Sequence, residues 1–227
     1  MTLKADALKV YFGAALFKSG ELLGNLLLAD AVSRVSGGDF VCVLPQDYEH
    51  REPQDFRAIR DADLKMLLDC DCALFSFDGM ELDSGTVVEF MFAKSVDIPC
   101  ALLRSDFRWS GDQGQGGGDP WNLMCSFHPR SERAAFDLLS AYRKLLDVGH
   151  GAESLPGLLS EAFAKEAVAA LRKAVATPPL DKGGLDGAKA VLNWAAKAHG
   201  ESFERLCNAD PAFPDALLKR KISKGLI

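Results

Sequence analysis

The sequence predicts an α/β fold, an open doubly wound parallel sheet followed by a helical extension. Three observations carry the prediction. Short apolar runs rich in β-branched and aromatic residues alternate with longer stretches of helical periodicity. The runs are apolar throughout rather than alternating with polar residues, as in strands covered on both faces. Several of them empty into loops rich in Gly, Pro and acids, the end of such a sheet where ligands bind.

Leu8 to Phe12 (LKVYF) is the first strand, delivering Gly13 to a loop. Ser19 to Ser36 follows as a helix with Leu22, Leu23, Leu26, Leu27, Ala31, Val32 and Val35 at helical spacing, stopped by Gly37-Gly38. Phe40 to Leu44 is a second strand running into Pro45 and the polar loop QDYEHREPQD. Asp55 to Asp69 carries Phe56, Ile59, Leu64, Leu67 and Leu68 on one helical face. Cys72 to Phe77 is the third strand, opening into DGMELDSG before a helix from Thr86 to Ser95, and Pro99 to Arg104 is the fourth. Asp106 to Asp119 is polar and Gly-rich, a mobile loop and candidate lid, after which PWNLMCSF resumes order. Ser131 to Leu146 reads as an amphipathic helix and Gly149 to Pro156 as a junction. Ala162 to Val175 and Gly187 to Ala198 read as further helices before the basic tail KRKISKGLI. The expected division is an α/β catalytic domain over 1–148 and a helical extension over 149–227.

Composition narrows the function classes. The chain has 227 residues, 48% of them hydrophobic, and a net charge of −6 with no basic run that could follow a row of phosphates. A nucleic-acid polymer is therefore excluded as a partner, while an uncharged nucleoside is not. The six cysteines lie mostly in apolar runs, as reduced core thiols do, and no metal is expected. No run is long and apolar enough to cross a membrane, so a cytoplasmic protein is expected.

The most informative segment is FDGMELDSGTVVEFMFAKS. Thr86 and Glu89 fit a T-x-x-E capping box, in which Glu89 only satisfies a helix start. The helix they open is apolar almost all round, so a carboxylate in its first turn is half-buried. That is costly unless the acid is used, as by a nucleophile attacking an anomeric carbon. Asp63 on the preceding helix and Asp83 in the loop are the further acids such a reaction needs, although either alone reads as a solvated surface acid.

These residues resemble the nucleoside 2-deoxyribosyltransferases, in particular the lactobacillus-type branch. Val10 to Phe17 (VYFGAALF) is similar to the family's opening strand. Asp63-Leu64, the D-x-G-x-x-x-E of Asp83, Gly85 and Glu89, and the P-x-N-L-M of Pro120, Asn122, Leu123 and Met124 recur in the family order. The resemblance covers about residues 8–148 and implies a flavodoxin-like or Rossmann-like sheet. By resemblance Glu89 is the nucleophile and the Tyr11 hydroxyl positions it, Asp63 contacts the base and protonates it on departure, and Asp83 binds the sugar hydroxyls. Gly13 and Gly85 belong to the same substrate-binding motifs. Asn122, with Met124 beside it, matches a residue lent by a neighbouring subunit to the sugar's 5′ end, implying a homo-oligomer, a dimer or hexamer. Gln46 or Asp47 stands where the family reads the base edge. Phe17 matches an aromatic at the base site, and Leu16 departs from the branch's usual Trp.

The implied reaction moves a 2-deoxyribosyl group between purine or pyrimidine bases, in nucleoside salvage, by a retaining double displacement through an ester on Glu89. It needs no cofactor. Two other readings are an N-glycoside hydrolase of deoxynucleosides or their 5′-monophosphates and a non-catalytic nucleoside-binding module. A carboxylate at Asp83 repels the phosphate dianion that the monophosphate reading requires.

Overall fold

Successive side chains of a strand point to opposite faces, and in β1 (Leu8–Gly13) both directions are buried, Val10 and Phe12 one way and Tyr11 the other. The computed structural model describes residue 4 and residues 6–48, 55–180 and 182–227; the part of the predicted second-strand loop over 49–54 lies outside them. β1 pairs in parallel with β2 (Phe40–Val43) and β3 (Cys72–Ser76). β3 then pairs with β4 (Cys100–Arg104), and β4 with β5 (Ser131–Ala135), also in parallel. The order β2-β1-β3-β4-β5 is that of a flavodoxin-like sheet, which reverses direction at β1 and β3 and leaves a crevice beyond their carboxyl ends.

Two cores sandwich the sheet. On one face Val10, Phe12, Leu74 and Leu103 pack under α1 (Ser19–Val35) and α5 (Leu155–Ala176). On the other, Tyr11, Phe75 and Leu102 pack under α2 (Phe56–Asp69) and α3 (Ser84–Ser95). Outside these lie α6 (Gly184–Ala198), α7 (Glu201–Asn208) and α8 (Phe213–Ser223). Residues beyond 149 thus contribute to both cores. The basic tail forms the end of α8 and the residues after it, where it clasps the turn before β3. Arg220 bonds Asp69, Lys221 donates to the Cys70 carbonyl, and Lys224 donates to Asp71 (2.7 Å) and to the Ala7 carbonyl (3.1 Å). The six cysteines are free, and burial pushes the Cys70 thiol up to about 12.

Three expectations are corrected. Ser131–Ala135 is the edge strand β5, and only the segment Leu138–Asp147 (α4) is helical. One buried residue, Ala134, is all this short strand offers the core, too little to break a helical reading. α1 buries Leu28, Ala29, Ala31 and Val32, whereas Leu22, Leu23, Leu26 and Leu27 face outward, Leu23 at 61% exposure. Apolar residues ring this helix, so spacing alone could not select its inner side. Phe56, at the start of α2, is likewise exposed.

The Gly-rich segment after β4 is tied down rather than free. The buried Arg104 guanidinium donates to the carbonyls of Phe77, Gly79 and Arg108 and to the Ser110 hydroxyl. Gln113 donates to Ser126 (2.7 Å), and Asp112 accepts from the Leu123 amide (2.8 Å).

Candidate active site

The helix bearing Glu89 starts differently from the expected capping box. Asp83 is its N-cap, with Oδ2 accepting from the Thr86 amide (2.7 Å) and the Thr86 hydroxyl (2.9 Å). Thr86 is therefore inside the first turn and buried, and Glu89 stands in the second turn with no capping duty. Its side chain leans back toward the strand ends, the direction helical side chains take.

There the Tyr11 hydroxyl donates to Glu89 Oε1 at 2.8 Å. Oε2 lies against Gly13, the last residue of β1. A Cβ on Gly13 would stand 2.8 Å from Oε2 and 2.6 Å from the Phe75 ring, so only glycine leaves the carboxylate room. Gly85 serves Asp83 in a milder way, since a Cβ there would lie 3.2 Å from Asp83 Oδ2.

Glu89 is half-buried, and desolvation raises its pKa to about 7; the Tyr11 hydrogen bond opposes the rise, while the charges of Asp63 and Asp83 add to it. Tyr11 is pushed well above the usual phenol range, first by burial and then by Glu89 and Asp63. Four sequence-predicted residues from three elements and a loop, Tyr11, Asp63, Asp83 and Glu89, thus act on one another. A carboxylate with a hydroxyl donor, an ionisation near neutrality and two acids in its field can serve as a nucleophile with acid-base partners.

The remaining predicted residues sit further out. Between the two candidates in the second-strand loop, Gln46 is the one held toward the α1 side. Its amide donates to the Leu22 carbonyl (3.1 Å) and its oxygen accepts from Asn25 (3.2 Å), whereas Asp47 is exposed. Phe17 is 78% exposed at the entrance to α1. Asn122 caps the short turn Leu123–Cys125, its side chain accepting from the Met124 amide (2.9 Å), and both residues are exposed. That turn lies along α3, because His128 stacks edge-on against Phe90 with centroids 5.3 Å apart.

Beside Asp83, on the α1 and α5 side of the sheet, a cavity of about 380 Å³ opens over the ends of β1 and β3. Two of its lining residues were missed from sequence. Asn25 donates to the Ala15 carbonyl and to Gln46, fixing the loop after β1. Asp78 ties the end of β3 to that of β4, accepting from the Ser105 and Asp106 amides and the Ser105 hydroxyl. Asn25 lies in a helical repeat like any surface amide. The sequence DG around Asp78 signals only a turn.

With this geometry in view, the sequence profile of the nucleoside 2-deoxyribosyltransferases matches residues 10–124, a span containing Tyr11, Asp63, Asp83, Glu89 and Asn122. The chain belongs to the nucleoside 2-deoxyribosyltransferase family. Family membership makes it an enzyme of the class that transfers deoxyribosyl groups of nucleosides. Two solved structures are similar. A conserved protein from Enterococcus faecalis V583 is 18% identical, with 74% of this chain and 98% of that one covered and a TM-score of 0.47. A 2-deoxyribosyltransferase from the psychrotolerant Bacillus psychrosaccharolyticus is 19% identical, with 65% and 96% covered and a TM-score of 0.43. No curated protein matches. Among the described residues no helix is long and apolar enough to span a membrane.

Proposed function

We propose that the protein exchanges nucleobases on 2′-deoxynucleosides through a covalent 2-deoxyribosyl ester on Glu89. The observation that carries this reading is the Tyr11–Glu89 hydrogen bond at 2.8 Å, which engages one carboxylate oxygen and leaves Oε2 turned to Gly13. Oε2 attacks C1′ as the C1′–N bond breaks. The bonding pair goes to the base nitrogen, which takes a proton from Asp63. An incoming base then gives its N–H proton to the Asp63 carboxylate and attacks C1′, and the ester C–O pair returns to Glu89. Two inversions give net retention. Water attacking the same ester produces slow hydrolysis when no base is present.

In this reading Asp83 uses its remaining acceptor capacity to hold the sugar, Gln46 reads the base edge, Phe17 flanks the base, and Asn122 reaches a neighbouring subunit's site beside Met124. Exposed apolar side chains on α3 (Val88, Met91) and on or just after the turn (Leu123, Met124, Phe127), two segments joined by the Phe90–His128 contact, support a homo-oligomer built over that turn. We further assign catalysis to the 1–148 segment and a cytoplasmic role in nucleoside salvage.

A base-exchange assay with thymidine and 2′-deoxyinosine as donors and adenine as acceptor tests the reaction. Formation of 2′-deoxyadenosine, together with a mass increment of one deoxyribosyl unit on a peptide containing Glu89, is the expected result. Free base released without any exchange would instead mark a hydrolase. Mixing Glu89→Ala with Asn122→Ala protein tests the shared site. Partial recovery of activity in the mixture is expected, because one site of a mixed pair has both residues intact.

A further inference from the structure

Asparagine is a weak choice inside a helix, because its short amide competes with the backbone for hydrogen bonds. α1 carries one, Asn25, and its amide is turned off the helix. Nδ2 donates to the Ala15 carbonyl in the loop after β1 (3.1 Å) and to Gln46 Oε1 in the turn after β2 (3.2 Å).

Two backbone carbonyls fix which way both amides point. A carbonyl is met only by a donor, so Ala15 requires the nitrogen of Asn25. Leu22, which accepts from Gln46 Nε2 at 3.1 Å, likewise requires the nitrogen of Gln46. The Gln46 oxygen then faces Asn25 Nδ2. Both Asn25 protons are thereby spent, and among the described residues no donor meets its Oδ1. Gln46 keeps one N–H beside it.

Asn25 lines the cavity beside Asp83, together with Leu159, Ser160 and Phe163 of α5. The other polar side chains there have few protons to give. Glu21 and Asp78 are acids that already accept from backbone amides. The Ser105 hydroxyl donates to Asp78 and that of Ser160 to the Pro156 carbonyl. Among the described residues, only the Ser76 hydroxyl lines the cavity with a proton that has no partner, and no Lys, Arg or His does so. The wall is built to receive protons. Its two ends are also distinct. Asp83, assigned to the sugar, lies at one. At the other Asn25 touches Gln46, and Glu21 accepts from the Phe17 amide at 3.0 Å, the two residues assigned to the base.

We propose that Asn25 determines base specificity: its Oδ1 accepts an N–H from the exocyclic amino group of the base, so that amino-bearing bases such as adenine and cytosine are favoured over their oxo counterparts hypoxanthine and uracil. The inference rests on the base-exchange reading above, with Gln46 at the base edge. Adenine sets an N–H beside a ring nitrogen that accepts, which matches Asn25 Oδ1 and the remaining Gln46 N–H. Hypoxanthine sets a carbonyl oxygen against Oδ1, two acceptors with no proton between them.

The test is competition. The full chain is given 2′-deoxyguanosine as donor with equal amounts of adenine and hypoxanthine, and the initial ratio of 2′-deoxyadenosine to 2′-deoxyinosine is read. N6-methyladenine, which keeps one exocyclic N–H, and N6,N6-dimethyladenine, which has none, then compete with adenine in turn. The cavity has room for the added methyl groups, since its volume of about 380 Å³ equals the share of roughly a dozen waters at ~30 Å³ each. In parallel, calorimetry compares 2′-deoxyadenosine with 2′-deoxyinosine on Glu89→Ala protein, alone and combined with Asn25→Leu, where the nucleosides stay intact. Expected is a preference of about tenfold or more for adenine over hypoxanthine and over the dimethyl base, with N6-methyladenine within about threefold of adenine. Asn25→Leu removes the acceptor at similar volume and brings the product and affinity ratios to within about threefold of one. Asn25→Asp keeps an oxygen in place and so keeps the preference, while turnover falls because its second oxygen faces those of Ala15 and Gln46. A dimethyl base that competes as well as adenine, or a preference that survives Asn25→Leu, overturns the proposal. So does a preference lost equally in Asn25→Asp, which would leave Asn25 only holding Gln46. If Asn25→Leu does not fold, the methylated bases decide. If the calorimetric preference holds without base exchange, the reaction assignment fails and the role of Asn25 stands; exchange without the preference removes that role alone.

Discussion

Acids stand at both ends of the sheet, and their surroundings differ. At the amino end, Asp71 is fully buried and is met by Lys224 at 2.7 Å, the Lys9 amide at 2.9 Å and Arg220 at 3.6 Å, while Asp69 pairs with Lys9 and Arg220. At the carboxyl end, Glu89 is met by a phenol and by the fields of two more acids, Asp63 and Asp83. A buried acid that serves the fold brings its cation with it. One kept near neutrality by burial and like charge instead stores reactivity.

Four measurements break or sharpen this contrast. The largest effect is expected for Glu89→Ala, which lowers kcat for base exchange by about 10³-fold or more while the chain stays folded. Residual turnover within tenfold of wild type would place the nucleophile elsewhere. Asp71→Asn is the counterpart. Lys224 and Arg220 keep the Ala7 carbonyl and Asp69 but lose the buried charge between them, which costs about 1.5–3 kcal/mol in urea unfolding, and a loss under about 1 kcal/mol would make the two ends alike.

Tyr11→Phe comes next, lowering kcat/KM by roughly 10- to 100-fold. Because the Tyr11 hydrogen bond lowers the Glu89 pKa, its removal moves the acid limb of the pH–rate profile above about 7. A rate loss without that move would give Tyr11 a purely steric role. The smallest effect concerns stability. Glu89 titrates at about 7 in the folded chain and near 4.5 otherwise, so the folded state keeps a proton the unfolded state has lost, and stability falls as pH rises between those values. Glu89→Gln removes this penalty and is expected to unfold at higher urea than wild type at pH 8, by on the order of 1–3 kcal/mol. That advantage fades toward pH 4.5.

Much of this architecture is legible in the sequence, and the exceptions have physical causes. The strands β1 to β4 are buried on both sides and so appear as unbroken apolar runs. β5, an edge strand with one buried residue, hides inside a helical pattern. Tyr11, Asp63, Asp83 and Glu89 were recognisable because their types and order recur as a set. Their coupling was not, since it depends on Asp83 rather than Thr86 capping α3. Gln46 and Asp47 are equivalent in the sequence, and only the packing of α1 distinguishes them, since Asn25 holds Gln46. The cavity wall from α5 could not be read at all, because it joins segments more than a hundred residues apart.

The clasp made by α8 also has a use. Lys224 reaches both Asp71 and the Ala7 carbonyl, so the residues leading into β1 lie beside the last helix at the pole opposite Glu89. A short linker joining these two segments, with the chain reopened at the exposed Gly149–Gly151 turn between α4 and α5, yields a circular permutant that keeps every strand and helix intact. Such a rearrangement moves both points of fusion or immobilisation to the α4–α5 turn and leaves the clasped pole without a chain end.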